Sequence, residues 1–327
     1  MGSSIIKRLA LAVPLVVLVS IVTFALLHLA PGGPAGVVSG NPKTTGEDMA
    51  RIRENYGLDR SLPVQYLMWF RQVFLRFDFG TSYVTGRPVT AMIAERVPAT
   101  LELMGAALLL AVLAGGMLAV LTAIRGSGRA DGFFTVITTA GISVPVFWLG
   151  LIAIYIFAIK AGILPAGGRA AGDGVSVSER LRHLVLPASV LSIAWLATWS
   201  RYLRAGLIDS LGGSYIRTAR AKGLGEGTVV LKHALRGAVL PAVTVLAMQI
   251  PALFTGAVIT ETVFAWPGMG RLFYEGLQRQ DYTRVLGIVV IASVLIILMN
   301  TAGDLLNMIL DPRTRPADGE VRQGGTG

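Results

Sequence analysis

Six times along this chain, charge disappears for long enough to cross a bilayer. The stretches are Leu9–Leu29, Leu103–Ile124, Gly132–Ile159, Leu184–Ser200, Gly237–Thr260 and Val285–Gly303, and none holds Asp, Glu, Lys or Arg. A helix needs about 20 mostly apolar residues to span a hydrocarbon core of about 30 Å, so each stretch predicts one transmembrane helix. The first begins just after Lys7 and Arg8, like a signal peptide, but its apolar run is too long and no small-residue cleavage site follows. It is read as an uncleaved helix.

The polar stretches carry patterns of their own. In the long segment after the first span, Met49, Ile52 and Tyr56 share a helical face ended by Gly57, and Pro63 opens a second helix whose apolar face carries Leu67, Phe70, Phe74 and Phe77. With Trp69, Arg71 and Arg76, that helix either lies in the headgroup layer or packs on the outer ends of the other helices. Between the fourth and fifth spans, Arg201 to Arg236 contains SYIRTARAKGLGEGTVVLKHALR. Ser214 is the expected N-cap, Tyr215 to Lys222 form two turns, Gly223 ends them, and a second short helix starts at Gly227 or Thr228. Small Ala219 and Ala221 would let another surface approach, and Arg217, Arg220 and Lys222 would pair with acidic groups on it. The alternative is a loop that is basic only because cytoplasmic loops are. The tail after Arg313 has almost nothing to bury and is expected to be disordered.

Composition narrows the function. Of 327 residues 53% are hydrophobic and 15% charged, and there is no cysteine. His28, His183 and His233 fit no zinc spacing, so metal and thiol chemistry are not expected. The net charge of +10 has a topological explanation that makes a nucleic-acid partner unnecessary. With the amino terminus inside, the cytoplasmic segments hold 14 Lys and Arg and the short outer segments 7, which puts both termini in the cytoplasm. AKGLGEGT lacks the lysine of a phosphate-binding loop and follows no strand, so no ATP site is read here. Ionisable residues are missing from the middle of every span, which disfavours a proton-coupled carrier, and no catalytic set supports a membrane enzyme.

Pro145, Gln249 and Pro251 are candidates for kinked positions lining a pathway, because a mid-helix proline frees a carbonyl; packing is the alternative. Asn300 reads as interhelical glue, and Trp195, Trp199 and Trp266 as interface anchors or core. Arg201 and Arg204 mark the inner boundary of the fourth span.

The stretch YIRTARAKGL resembles the EAA motif of permease subunits of binding-protein-dependent ABC importers. The chain is most similar to the B-type subunit of the dipeptide, oligopeptide and nickel subgroup. The likeness extends over LLHLAPGGP, YGLDRSLPVQYLMWF, DFGTSYVTGRPV, ERVPATLEL, ISVPVFWLG, GILPAGG, ETVFAWPGMGRL and LLNMILDPRTR, essentially the whole chain. It departs from the general motif where Arg217 and Thr218 precede Ala219 in place of a glutamate, and where Leu235-Arg236 replaces Leu-Pro, with Leu240-Pro241 following. Gly33 stands where the subgroup usually has Asp.

The resemblance implies an all-α integral membrane protein with six transmembrane helices and the type I ABC importer permease fold. Its implied divisions are a cytoplasmic N-terminus and first helix (1–30), an extracytoplasmic segment with amphipathic helices (31–98), a five-helix permease domain (99–310) with a coupling loop (209–236), and a cytoplasmic tail (311–327). Implied partners are a paralogous permease, two ATPase subunits or one fused ATPase that hold ATP and Mg, an extracytoplasmic solute-binding protein and membrane lipid, with no cofactor in this chain. ATPase coupling would fall to Ser214, Tyr215, Arg217, Thr218, Ala219, Arg220, Ala221, Lys222, Gly223 and Leu224. Glu261, Trp266, Pro267, Gly268, Met269 and Gly270 would form the outer gate or binding-protein contact, although a reentrant turn also explains these glycines. Peptides are the expected cargo, with nickel or another small solute as the alternative.

Overall fold

The computed structural model describes residues 2–29, 59–125, 128–170, 172 and 174–310. The expectations for Gly33, for Met49 to Gly57 and for the tail lie outside the described residues. Helix α1 (Gly2–Leu29) is followed by α2 (Leu62–Arg76), α3 (Val89–Arg125), α4 (Arg129–Ser143), α5 (Val146–Ala153), α6 (Val177–Leu211) and α7 (Ser214–Ala221). A single turn Glu226–Thr228 and a π-helical stretch Val229–Ala234 then run into α8 (Leu235–Val263), followed by α9 (Met269–Gln278) and α10 (Tyr282–Leu310). The separate helix expected from Gly227 or Thr228 is therefore the first turns of the fifth predicted span.

Among the described residues, α1, α3, α6 and α10 are uninterrupted helices long and apolar enough to cross a membrane. α4 and α5, the latter continued by the π-helical stretch Ile154–Lys160, make a fifth crossing when taken together as one bent span. α8 covers the predicted stretch Gly237–Thr260 as a 29-residue helix. Helices α3 and α6, with 37 and 35 residues, overrun their predicted stretches. At 1.5 Å per residue both exceed about 50 Å, so their ends stand clear of a hydrocarbon core of about 30 Å. Polar positions such as Glu95, Arg96, Glu179 and Arg180 hid these extra turns from a test based on missing charge. Ser176 caps α6 by accepting from the Glu179 N–H at 3.2 Å.

The third predicted span, Gly132–Ile159, is not one straight helix. It bends by 103° between Ser143 and Val146. Pro145 is the cause: it has no N–H for the Gly141 carbonyl, and it forces the preceding Val144 into extended backbone (φ −84°, ψ 126°).

The core gathers around α3, α6 and α8. Small residues let these helices close: a Cβ on Gly115 would meet Trp199 Cδ1 at 2.9 Å and the Leu196 carbonyl at 3.0 Å, and one on Gly206 would meet Ala238 Cα at 3.2 Å. Trp199 is buried and donates its indole N–H to the Val112 carbonyl at 3.2 Å. Trp266 is fully buried and Trp195 half-buried, so these rings serve the core and not the membrane interface.

α2 packs on the chain itself, one of the two places expected for it. It packs on α1, with the Tyr66 hydroxyl 2.9 Å from Ser20 Oγ and Phe24 against Tyr66 and Trp69. Its buried side is Val73 with half-buried Tyr66, Trp69, Phe70 and Phe74, while Leu67 and Phe77 face outward. The face is thus rotated from the expected one, toward Tyr66, Trp69 and Val73, and Phe77 leaves the helix altogether in the left-handed conformation (φ 53°).

Candidate functional site: the short helix and the buried turn

Helix α7 begins one residue earlier than the sequence pattern suggests. Gly213 takes the N-cap and Ser214 is already helical. A Cβ at Gly213 would lie 2.7 Å from the Tyr215 ring and 3.0 Å from the Ser210 carbonyl, so glycine alone fits the corner. The C-terminus is a Schellman motif: the Gly223 N–H bonds the Arg220 carbonyl at 2.9 Å and the Leu224 N–H the Ala219 carbonyl at 3.4 Å. Gly223 supplies the required positive φ of 76°.

Two residues three apart, Ile216 and Ala219, form the buried face of α7. They join one apolar cluster with Ala119 and Ala123 of α3, Leu203 and Leu207 of α6, Val229 and Ala234 of the π-helical stretch, and Ala238 of α8. The small side chain of Ala219 is therefore spent on the chain's own packing and is not offered to a partner, as had been expected. Tyr215, Arg217, Thr218, Arg220, Ala221, Lys222 and Leu224 are exposed. A rigid-body push on this outer face reaches α3, α6 and α8 through close-packed atoms that compress little.

Arg220 is not free either. Its guanidinium holds Glu226 through two hydrogen bonds across the turn, and that bonding keeps the Glu226 carboxyl below its ordinary 4.5. The stabilisation is complete above 4.5 and is lost only as pH falls through the lowered value. ATP-driven uptake measured from neutral to mildly acidic pH should therefore show no step that Glu226→Gln removes. A step that this variant abolishes would refute the assignment.

At the opposite end of α8 the chain makes a buried turn. The Glu261 carboxylate is fully buried; Oε1 accepts from the Thr100 hydroxyl at 2.6 Å and Oε2 from the Arg271 N–H at 3.0 Å, with the Gly270 N–H as a further donor. Thr100 Oγ1 in turn accepts from the Met269 N–H at 2.8 Å. The first N–H groups of α9 are thus satisfied by a carboxylate and a hydroxyl from two other helices. Trp266 donates its indole N–H to the Ala99 carbonyl at 2.8 Å. A Cβ on Gly268 would collide with the Glu261 carboxylate, and one on Gly270 would lie 2.5 Å from Val258 Cα.

Glu261, Trp266, Gly268, Met269 and Gly270 are therefore buried within the chain and Pro267 half-buried, which corrects their expected place on a contact surface. They hold this turn together from inside. Of the three expected pathway positions, Pro145 stands at the helix break; Gln249 and Pro251 lie in α8, and their side chains fall outside the described residues.

Other joints escaped sequence reasoning. Asp281, fully buried at the start of α10, accepts from the Ser82 hydroxyl and from the Tyr83 N–H at 3.1 Å, which pins the segment between α2 and α3 to the last helix. Arg169 pairs with Glu102 at 2.6 Å, and buried Arg284 donates to the Leu272 carbonyl at 2.7 Å. The stretches DFGTSYVTGRPV and ERVPATLEL were visible in the sequence, but nothing local assigns Ser82 or Thr100 a partner.

Comparison with known proteins agrees with this architecture. Residues 106–316 match the family described as binding-protein-dependent transport system inner membrane component, and residues 1–104 match its N-terminal companion. The oligopeptide transport system permease protein AppB of Bacillus subtilis (strain 168) is 38% identical over 96% of this chain and 99% of its own. The dipeptide transport system permease protein DppB of Escherichia coli (strain K12) is 34% identical over 95% and 98%. Among solved structures, a chain of the inward-facing MetNI methionine ABC transporter superposes with a TM-score of 0.56 at 18% identity, covering 68% of this chain and 97% of that one. That likeness shows the type I ABC importer transmembrane fold. The chain belongs to the family of inner-membrane permease components of binding-protein-dependent ABC transport systems.

Proposed function

We propose that this chain is one of two paralogous permeases in an importer of di- and oligopeptides, and that α7 is the lever through which ATPase subunits drive it. The observation that carries the lever is the division of α7 into a buried face, Ile216 and Ala219, seated among α3, α6 and α8, and an exposed face bearing Tyr215, Arg217, Ala221, Lys222 and Leu224. A short helix locked into three long ones converts displacement at its outer face into tilt of the bundle. ATP and Mg are held by two ATPase subunits or one fused ATPase; this chain transmits force and performs no chemistry.

Both termini lie in the cytoplasm on this reading, which the distribution of basic residues favours. An extracytoplasmic binding protein delivers cargo to the outer side, where the turn closed by Glu261 and Trp266 positions α9 beneath it. The names of the relatives, which are peptide permeases, favour peptide over nickel or another small solute.

Co-expression with the partner subunits is expected to yield a complex of this chain, a second permease and ATPase. In proteoliposomes that complex, with its binding protein outside, should accumulate radiolabelled di- and oligopeptides only when ATP is supplied. Uptake driven by a proton gradient without ATP would overturn the reading, and uptake of nickel chelates in place of peptides would overturn the cargo.

A further inference from the structure

A cavity of about 500 Å³ opens beside α6, lined by Thr198, Arg201, Tyr202 and Ala205 together with Ile142 of α4. The four α6 residues follow the i, i+3, i+4, i+7 spacing of one helical face. The other side of the same turns, Trp199, Ser200 and Leu203, is buried. The volume lies within the roughly 300–1,000 Å³ range usual for small-molecule sites.

Arg201 distinguishes this cavity from ordinary packing space. Its neighbour Arg204 is committed to structure, paired with Asp131 at 2.8 Å and lying 4.9 Å over the Phe134 ring, which fastens the start of α4 to α6. Arg201 has no carboxylate partner and no hydrogen-bond acceptor among the described residues. A guanidinium at the end of an apolar span is costly unless an anion or water meets it, and its planar fork matches a carboxylate.

The other wall is the helix break. Ile142 stands on the last turn of α4, where Pro145 leaves the Gly141 carbonyl without a helical donor. Irregular backbone at membrane depth is tolerated where it is buried or borders water, and discontinuous helices are where transporters build solute sites. The cavity thus combines an exposed, unpaired cationic fork with two hydroxyl-bearing side chains, next to the helix break. That set suits a molecule with both a carboxylate and N–H groups; a lipid phosphate would use only the first.

We infer that this cavity is a cargo site in the inner half of the permease, in which Arg201 binds the terminal carboxylate of a peptide on its way to the cytoplasm. The inference rests on the peptide reading of the cargo. Arg201 is a specificity-determining residue on this view, with the Tyr202 hydroxyl beside it and the Thr198 hydroxyl, whose proton goes to the Ala194 carbonyl at 3.0 Å, left as an acceptor for a peptide N–H.

The test uses the assembled complex in nanodiscs, without the binding protein, and two probes, radiolabelled dialanine and its C-terminal amide. Wild type should bind dialanine about tenfold more tightly than the amide, the ratio expected for one charge-assisted hydrogen-bonded pair. Arg201→Gln should erase that ratio by weakening dialanine alone, and Arg201→Lys should retain part of it. Equal binding of the two probes by wild type, or a ratio unchanged in Arg201→Gln, overturns the site. A loss in Arg201→Gln that is the same for both probes and appears only with phosphatidylglycerol in the disc identifies a lipid headgroup as the anion, and also overturns it. ATP-driven peptide uptake by the wild-type complex separates the two levels. Uptake without Arg201 sensitivity in binding removes only the site, whereas no uptake of any peptide removes both the site and the cargo.

Discussion

Replacing Glu261 with alanine is expected to destabilise the protein by about 3 kcal/mol or more and to abolish uptake. The substitution strands three donors at once, the Thr100 hydroxyl and the Gly270 and Arg271 N–H groups, in a site sealed from water. Glu261→Gln should be far milder. Its amide oxygen can still accept from the two backbone N–H groups, and its NH₂ can donate to Thr100, so that only the charge and the Thr100 donation are lost. Thermal unfolding of the detergent-purified complex, followed beside uptake, should rank the variants wild type, Gln, Ala. An alanine variant as stable as wild type would show that the turn is held by something else.

Gly223→Pro is expected to abolish transport while leaving the membrane bundle folded. Proline fixes φ near −65°, whereas Gly223 sits at 76°, and the N–H that closes the Schellman motif on the Arg220 carbonyl is lost with it. Gly223→Ala keeps that N–H and pays only the left-handed backbone penalty, about 1 kcal/mol, so transport should survive in part. Co-purification of the ATPase and the rate of ATP hydrolysis are the readouts. Full transport by the proline variant would remove α7 from the coupling route. Ala219→Glu is a less informative probe, since it buries a charge among Leu207, Val229 and Ala238 and would disrupt packing whether or not a partner docks there.

Positions of the membrane stretches were legible because hydrocarbon imposes a length on charge-free sequence. Their ends were not, since the first turns of α3 from Val89 onward and the first turns of α6 carry charges and add length beyond what a hydrocarbon core needs. The short helix α7 was legible from its two ends. Its orientation could have been read from Ile216 and Ala219, three residues apart, but small exposed Ala221 made Ala219 look equally available. The buried turn was beyond local pattern altogether: Glu261 finds Thr100 across 161 residues and Asp281 finds Ser82 across 199. Composition marks neither carboxylate as buried, because each lies just outside a charge-free stretch.

The break at Pro145 has a mechanical consequence for the lipid. Each limb of the bent span is about 20 Å long, so the two laid end to end would reach about 40 Å, well beyond a hydrocarbon thickness of about 30 Å. Folded through 103°, they reach about 25 Å. The span thus meets the hydrophobic-matching requirement by folding where most long helices tilt. Any motion that straightens it lengthens the hydrophobic slab it presents, and any motion that sharpens it shortens that slab, so the surrounding bilayer acts as a spring on the helix.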